Sequence, residues 1–266
     1  MSQISKAIEI AKRKGHFDQT SLKGHDDCSA GEFNYTITNK IVVSKNLLKK
    51  NKVLSAIDDQ RIIDSYRILR TRVIRRMQQN KWRSIGITSA GKNDGKTLTA
   101  VNLGICIAMK QNYTVVVVDA DLRKPSLHKL FGFEPEVGLR DYLLSDVPVD
   151  KILIQPGIER LVILPGTDST ENSSELLSSP KMSRLTQELK TRYPSRIIIY
   201  DLPPVLAGDD VVAFVPYLDA ALLVVEEGGT ETDKLKQSIN LLEGVGIVGT
   251  MLNKSKENQN NQDYYY

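Results

Sequence analysis

At 266 residues, with 41% hydrophobic and 26% charged side chains and a net charge of +4, the chain has ample length for a core and an ordinary globular composition. No apolar run approaches the ~18 residues needed to cross a bilayer, and the N-terminus lacks an apolar signal core. Cys28 and Cys106 have no metal-ligand spacing and His16, His25 and His128 are scattered, so reduced thiols, no zinc site and a cytoplasmic location are expected.

The charge is unevenly distributed. Residues 1–83 carry +10 and the remainder −6. Ile4, Ile8 and Ala11 recur at helical spacing beside Lys6, Lys12, Arg13 and Lys14, which predicts a short amphipathic helix. Such a basic arm suits an anionic membrane surface or nucleic acid, although a solvated helix face is the commoner origin of the pattern. Residues 15–52 show no sustained period and read as a linker with one short strand at 37–43, so that 1–52 form an N-terminal basic segment. A helix is expected over 56–79. It carries Asp64, Arg67 and Arg70, whose spacing of three lines them along one face, able to pair with another surface.

From residue 84 short apolar runs alternate with helical stretches. Strands are predicted at 84–88, 114–119, 161–164, 196–200, 220–225 and 246–252, and helices at 96–110, 182–191 and 231–243, with helical stretches over 127–144. Repeated β–α units imply an α/β fold over 53–255, a mostly parallel sheet flanked by helices.

The chemistry gathers at three of these junctions. Between the first run and its helix stands Ala90-Gly91-Lys92-Asn93-Asp94-Gly95-Lys96-Thr97-Leu98, a small-residue loop closing on Gly-Lys-Thr. At a strand-to-helix junction this is a phosphate cradle: backbone N–H groups face an anion, Lys96 reaches the β- and γ-phosphates, and the Thr97 hydroxyl can ligand Mg²⁺. The second run, Val115 to Val118, ends in Asp119-Ala120-Asp121-Leu122-Arg123. The third, Ile197 to Tyr200, ends in Asp201-Leu202-Pro203-Pro204. Ligands of open α/β sheets bind beyond the carboxyl ends of the strands, so Asp119, Asp121 and Asp201 should converge on the cradle.

After Asn253-Lys254 the composition becomes polar and Asn/Gln-rich, and then reaches Tyr264, Tyr265 and Tyr266. Such a stretch cannot bury enough apolar surface to order itself, so 256–266 read as a flexible tail carrying three phosphorylatable hydroxyls.

At these residues the chain resembles the bacterial tyrosine kinases that regulate extracellular polysaccharide export. The likeness rests on AGKNDGKT at Ala90 to Thr97, VVVDADLR at Val116 to Arg123, IIIYDLPP at Ile197 to Pro204 and LPGTDSTENSSELLSSPKM at Leu164 to Met182. It implies a P-loop fold, ATP and Mg²⁺ as cofactors, and autophosphorylation of a C-terminal tyrosine cluster, here Tyr264 to Tyr266, on neighbouring subunits. It further implies a ring-like homo-oligomer built through an acidic-x-x-Arg-x-x-Arg motif, with Asp64 standing where the family has Glu. With no span of its own, the chain looks like the split form, in which a separate membrane protein supplies an activating cytoplasmic segment at the inner face of the plasma membrane. Nucleic acid is not an expected partner.

The implied roles are Lys96 on the phosphates, Thr97 and Asp201 on the metal with Asp119, and Asp119 or Asp121 orienting or deprotonating the tyrosine. Residues 91–98 with Arg123 and Asn253 bind the nucleotide, the Asn253 role being borrowed from related P-loop enzymes. Two other readings stay open. One is a partition or septum-positioning ATPase, whose signature lysine would follow the first loop position, where this chain has Gly91 and carries Lys92 one place later. The other is a nucleotide-binding scaffold without transfer activity.

Overall fold

The computed structural model of the chain describes residues 39–110, 112–193 and 195–255. The expected amphipathic helix near residues 4–14 and the tail with Tyr264, Tyr265 and Tyr266 lie outside the described residues.

The described residues form one eight-stranded sheet, with strands β1 (Asn39–Lys40), β2 (Ser84–Ser89), β3 (Thr114–Asp119), β4 (Ile154–Gln155), β5 (Leu161–Leu164), β6 (Arg196–Asp201), β7 (Ala220–Glu226) and β8 (Gly246–Asn253) in the order β1-β4-β5-β3-β6-β2-β7-β8. Among the described residues every pairing is parallel except that of β4 with β5. The helices are α1 (Lys45–Lys50), α2 (Gln60–Asn80), α3 (Lys96–Ala108), α4 (Leu127–Phe131), α5 (Leu139–Leu144), α6 (Ser173–Leu177), α7 (Pro180–Thr191), α8 (Asp210–Phe214) and α9 (Thr232–Leu241). No helix among them is long and apolar enough to cross a membrane.

Two hydrophobic clusters lie on the two faces of the sheet, and the strand period of two decides which residue joins which. Ile85, Ile87, Val115, Val117, Ile197 and Ile199 pack with α2 and α3 on one face. Val116, Val118, Ile198 and Tyr200 pack with α5, α7 and α8 on the other. Because both faces are covered, the central strands are apolar at every position instead of alternating. Local chemistry sets the helix ends. Asp59 caps α2 by accepting from the Arg61 amide, and α7 starts with Ser179 accepting from the Met182 amide and Pro180 in its first turn.

The stretch read as a linker contributes structure at its end. Leu48 of α1 and Val53 are buried in the same cluster as α2 and α3, and β1 pairs with β4. Six residues are too few for a helical period to stand out, which is why α1 escapes a reading by pattern.

Candidate active site

Strands β3, β6 and β2 are neighbours, so their carboxyl ends meet at one place. Asp119 and Asp201, the last residues of β3 and β6, stand opposite each other in register, and Asp201 is likewise paired with Ile87 of β2. The loop leaving β2 turns back on itself. The Asp94 carboxylate accepts from the Gly91 amide at 3.0 Å, and the Ser89 hydroxyl donates to the Gly91 carbonyl at 2.7 Å. Asn93 and Gly95 adopt left-handed backbone at φ 67° and 96°. At Gly95 a side chain would also collide with the Asn253 amide, so glycine is required twice over. The loop delivers the chain into α3, which has no acidic residue in its first turn to compete for an anion.

Lys96, in the first turn of α3, turns its ammonium onto the acids. Its Nζ donates to Asp121 Oδ2 at 2.7 Å and lies 3.5 Å from Asp201 Oδ1. Burial alone would lower the lysine's pKa, but the Asp201 and Asp121 carboxylates outweigh it and hold the ammonium above its usual range. Asp121 is fully engaged, since its other oxygen accepts from the Lys124 amide at 3.0 Å.

Asp119 and Asp201 are completely buried and differ from Asp121 in what they lack. Asp119 Oδ2 accepts from the Ser126 and Leu127 amides, both at 2.9 Å, while its Oδ1 and both oxygens of Asp201 accept no well-formed hydrogen bond, Lys96 and Thr97 standing near Asp201 at longer range. Burial, with the Asp201 charge, pushes Asp119 up to about 7 against the pull of those two amides and Lys96. Burial also raises Asp201, opposed by the Lys96 ammonium and the Thr97 hydroxyl. Three buried carboxylates beside a helix start share one ammonium, Lys96, so the donor-free oxygens, those of Asp201 above all, suit a further cation. No three His, Cys, Asp or Glu side chains among the described residues form a metal cage by themselves. Mg²⁺ fits such a donor set, since it takes one or two carboxylates and completes its shell with phosphates and water. The Thr97 hydroxyl, 3.4 Å from that of Ser126, borders the same space.

The remaining expected residues are distributed less uniformly. Lys92 and Asn93 are exposed on the loop and Leu98 is half-buried. Asn253, at the end of β8, donates to the Asp94 carbonyl at 2.7 Å and so braces the loop. Arg123 pairs with acids of a later loop: its Nε donates to Asp210 Oδ2 at 2.6 Å and its Nη2 lies 3.5 Å from Asp209, with the Ser173 hydroxyl closing on the other oxygen of Asp210. Nothing in the sequence pattern singles out Asp209, Asp210, Ser173 or Ser126, each of which reads as an ordinary turn or cap residue. The α2 residues stand apart. Arg67 pairs with Asp64 within the helix at 2.9 Å, and Arg70 donates to the Cys106 carbonyl at 3.1 Å.

Comparison with known proteins places this geometry. Residues 85–265 match the CobQ/CobB/MinD/ParA nucleotide binding domain. The chain is 32% identical over 206 residues to the tyrosine-protein kinase YwqD of Bacillus subtilis (strain 168), covering 76% of this chain and 85% of that protein. Its fold superposes on the crystal structure of the chimerical protein CapA2B2 with a TM-score of 0.70 at 27% identity, covering 82% of this chain and 94% of the other. It superposes on the kinase domain of the Escherichia coli tyrosine kinase ETK with a TM-score of 0.67 at 28% identity, covering 77% and 79%.

Proposed function

Because the chain belongs to the bacterial tyrosine kinases, within the CobQ/CobB/MinD/ParA nucleotide-binding family, we propose that it is a protein-tyrosine kinase that transfers the γ-phosphoryl group of ATP to Tyr264, Tyr265 and Tyr266 of neighbouring subunits. The observation that carries the reading is the group of donor-free buried oxygens on Asp119 and Asp201 beside Lys96 and the start of α3.

Phosphoryl transfer needs position and charge neutralisation more than covalent chemistry from the protein. The amides of residues 91–98 cradle the phosphates, with Gly95 and the Asn253 brace setting the loop. Lys96 leaves its carboxylate partners for the β- and γ-phosphates. Thr97, Asp201 and Asp119 are the residues that would hold Mg²⁺, and when bound that ion would offset the charge that spreads over the transferring group. The tyrosine oxygen forms its bond to the γ-phosphorus as the bond to the β-phosphate oxygen of the leaving ADP breaks. The phenolic proton passes to Asp119, whose Oδ1 is free and whose affinity for a proton is tuned near neutrality, whereas both oxygens of Asp121 are already occupied. Asp121 then serves to orient Lys96, and Arg123 steadies the β3 loop through Asp210.

Further parts of the reading come from the family likeness: a ring-like homo-oligomer using Asp64, Arg67 and Arg70, a membrane partner supplying an activating cytoplasmic segment, a place at the inner face of an anionic membrane, and control of extracellular polysaccharide production. The partition-type ATPases share only the wider nucleotide-binding family. Mass spectrometry of the tail after incubation with ATP and Mg²⁺ tests the central claim. Phosphate on Tyr264 to Tyr266 is expected; a tail that stays unmodified while ATP is consumed would overturn it in favour of an ATPase.

A further inference from the structure

A groove of ≈ 670 Å³ lies between α2 and β8, lined by none of the cradle residues. Val73, Leu222, Val248 and Met251 contribute apolar lining, and Arg72, Arg75 and Arg76 stand along the α2 side. Spacings of three and four put these guanidinium groups on one helix face. Arg76 donates to the Ile247 carbonyl at 3.3 Å, while Arg72 and Arg75 have neither ion pair nor hydrogen bond among the described residues. No Asp or Glu lines the groove. Among the described residues β8 is the last strand of the sheet and pairs with β7 alone, so its other edge, the Ile247 carbonyl met by Arg76 apart, has no strand partner there. The region therefore combines an excess of positive charge with a row of main-chain donors and acceptors.

The chain itself contains a segment of the complementary chemistry. It leaves β8 at Asn253, passes through Asn258-Gln259-Asn260-Asn261-Gln262, and reaches the three tyrosines eleven to thirteen residues later. Amide side chains both donate and accept, which suits an open strand edge. Each phosphotyrosine adds roughly −1.5 to −2 charge at pH 7, and guanidinium groups bind phosphate through paired N–H donors. Reach is sufficient. Eleven residues span at most about 36–40 Å, and the return along β8 to Gly246 takes only about 23 Å.

We propose that the α2–β8 groove is the docking site of the chain's own phosphorylated tail, residues 256–266, with the phosphates on Arg72, Arg75 and Arg76. This inference rests on the tail being the kinase's substrate. It gives the modified tail a destination: once charged, it is held along its own subunit and withdrawn from the neighbour's cradle, whereas the neutral tail has only its amide side chains to offer the β8 edge and no charge for the arginines. The groove thus works as a product-state latch, set by charge and released by dephosphorylation.

The test uses a fluorescent synthetic peptide of residues 256–266 bearing three phosphotyrosines, titrated onto the full chain carrying Tyr264→Phe, Tyr265→Phe and Tyr266→Phe. The expected result is saturable binding, about tenfold or more tighter than for the unphosphorylated peptide. Adding Arg72→Ser and Arg75→Ser, with circular dichroism to confirm the fold, should cost a similar factor. A full chain with a phosphorylated tail, made by ligating the synthetic segment, should bind the peptide about tenfold more weakly than the Phe chain at high dilution, because its own tail fills the groove. Absent binding, equal binding of the two peptides, an unaffected Arg72/Arg75 variant, or undiminished binding by the phosphorylated chain would each overturn the proposal. The probe is synthetic, so its result is independent of catalysis: a chain that binds it but never phosphorylates its own tail refutes the kinase reading and spares the recognition chemistry of the groove, and the reverse outcome does the opposite.

Discussion

Two charged regions of this molecule look alike in sequence and behave differently in three dimensions. At the sheet's carboxyl edge, Lys96, Asp119, Asp121 and Asp201 are nearly or completely removed from water, and burial makes each charge depend on its neighbours. Along α2, Asp64 and Arg67 pair at 2.9 Å with about half of each side chain exposed, a geometry that contributes only a few tenths of a kcal/mol. Desolvation, more than proximity, separates them. It turns one set of charges into a tuned site and leaves the other as a surface whose role depends on what approaches it.

The comparison breaks most directly at Lys96. Lys96→Met should lower autophosphorylation by about a thousandfold or more, as when a preorganised charge is removed from a transition state. It also strips the acids of their counter-charge. Breaking a buried pair costs about 3–5 kcal/mol, so the variant should keep its far-UV circular dichroism but melt earlier at pH 8. Protonation of Asp119 and Asp201, whose affinity for a proton burial already raises, then relieves the charge, and the deficit should shrink toward pH 5. A melting point that matches wild type across this range would mean that the pair is solvated after all.

Asp119 sharpens the same point with the opposite sign. Its folded-state pKa, about 7, lies above the ordinary 3.8, so the native chain binds a proton that the unfolded chain has released. Stability should therefore fall as pH rises from about 4 to about 7 and level off beyond. Asp119→Asn keeps an acceptor for the Ser126 and Leu127 amides and offers a donor to Asp201. It should raise the melting temperature at pH 8 by on the order of 5 °C, with the gain vanishing near pH 4. Transfer should be lost at the same time. For the wild type at limiting ATP, kcat/KM, which reports the nucleotide-free enzyme, should rise as pH climbs through 7, the range in which Asp119 gives up its proton.

What the sequence made legible follows the same division. Runs such as Val115 to Val118, apolar without alternation, announce strands covered on both faces, and the acids that follow them announce where a ligand sits. The convergence of Asp119, Asp121 and Asp201 on Lys96 could be read in advance because strand ends and the fold's crossover rule fix it. Expected strand and helix limits differ from the observed ones mainly at their ends, as with β6, which runs one residue further to Asp201, and α2, which starts at Gln60. The short helices α1, α6 and α8, of five or six residues, carry too little period to be seen. Side-chain pairing was equally hidden. Arg123 follows the acids in sequence, yet it is drawn to Asp210 because the chain returns there eighty-seven residues later. Asn253 reaches the cradle but spends its amide on the loop, a contact no local pattern encodes.

The smallest effects, on α2, decide whether its two motif arginines act together. Arg70 is half-buried and donates to Cys106, one of the last four carbonyls of α3, where a cation satisfies an orphan acceptor and complements the helix dipole. Arg70→Ala should therefore destabilise the fold itself by about 1–1.5 kcal/mol in urea titrations. Among the described residues the Arg67 side chain pairs only with the exposed Asp64, and Arg67→Ala should cost less than about 0.5 kcal/mol. Light scattering on both variants then separates assembly from folding. If the proposed ring uses Arg67, its alanine variant should lose oligomer mass while its urea midpoint stays within error of wild type. Unchanged mass in that variant, at concentrations where the wild type is oligomeric, would leave Arg67 a solvated side chain and confine Arg70 to bracing α2 against α3.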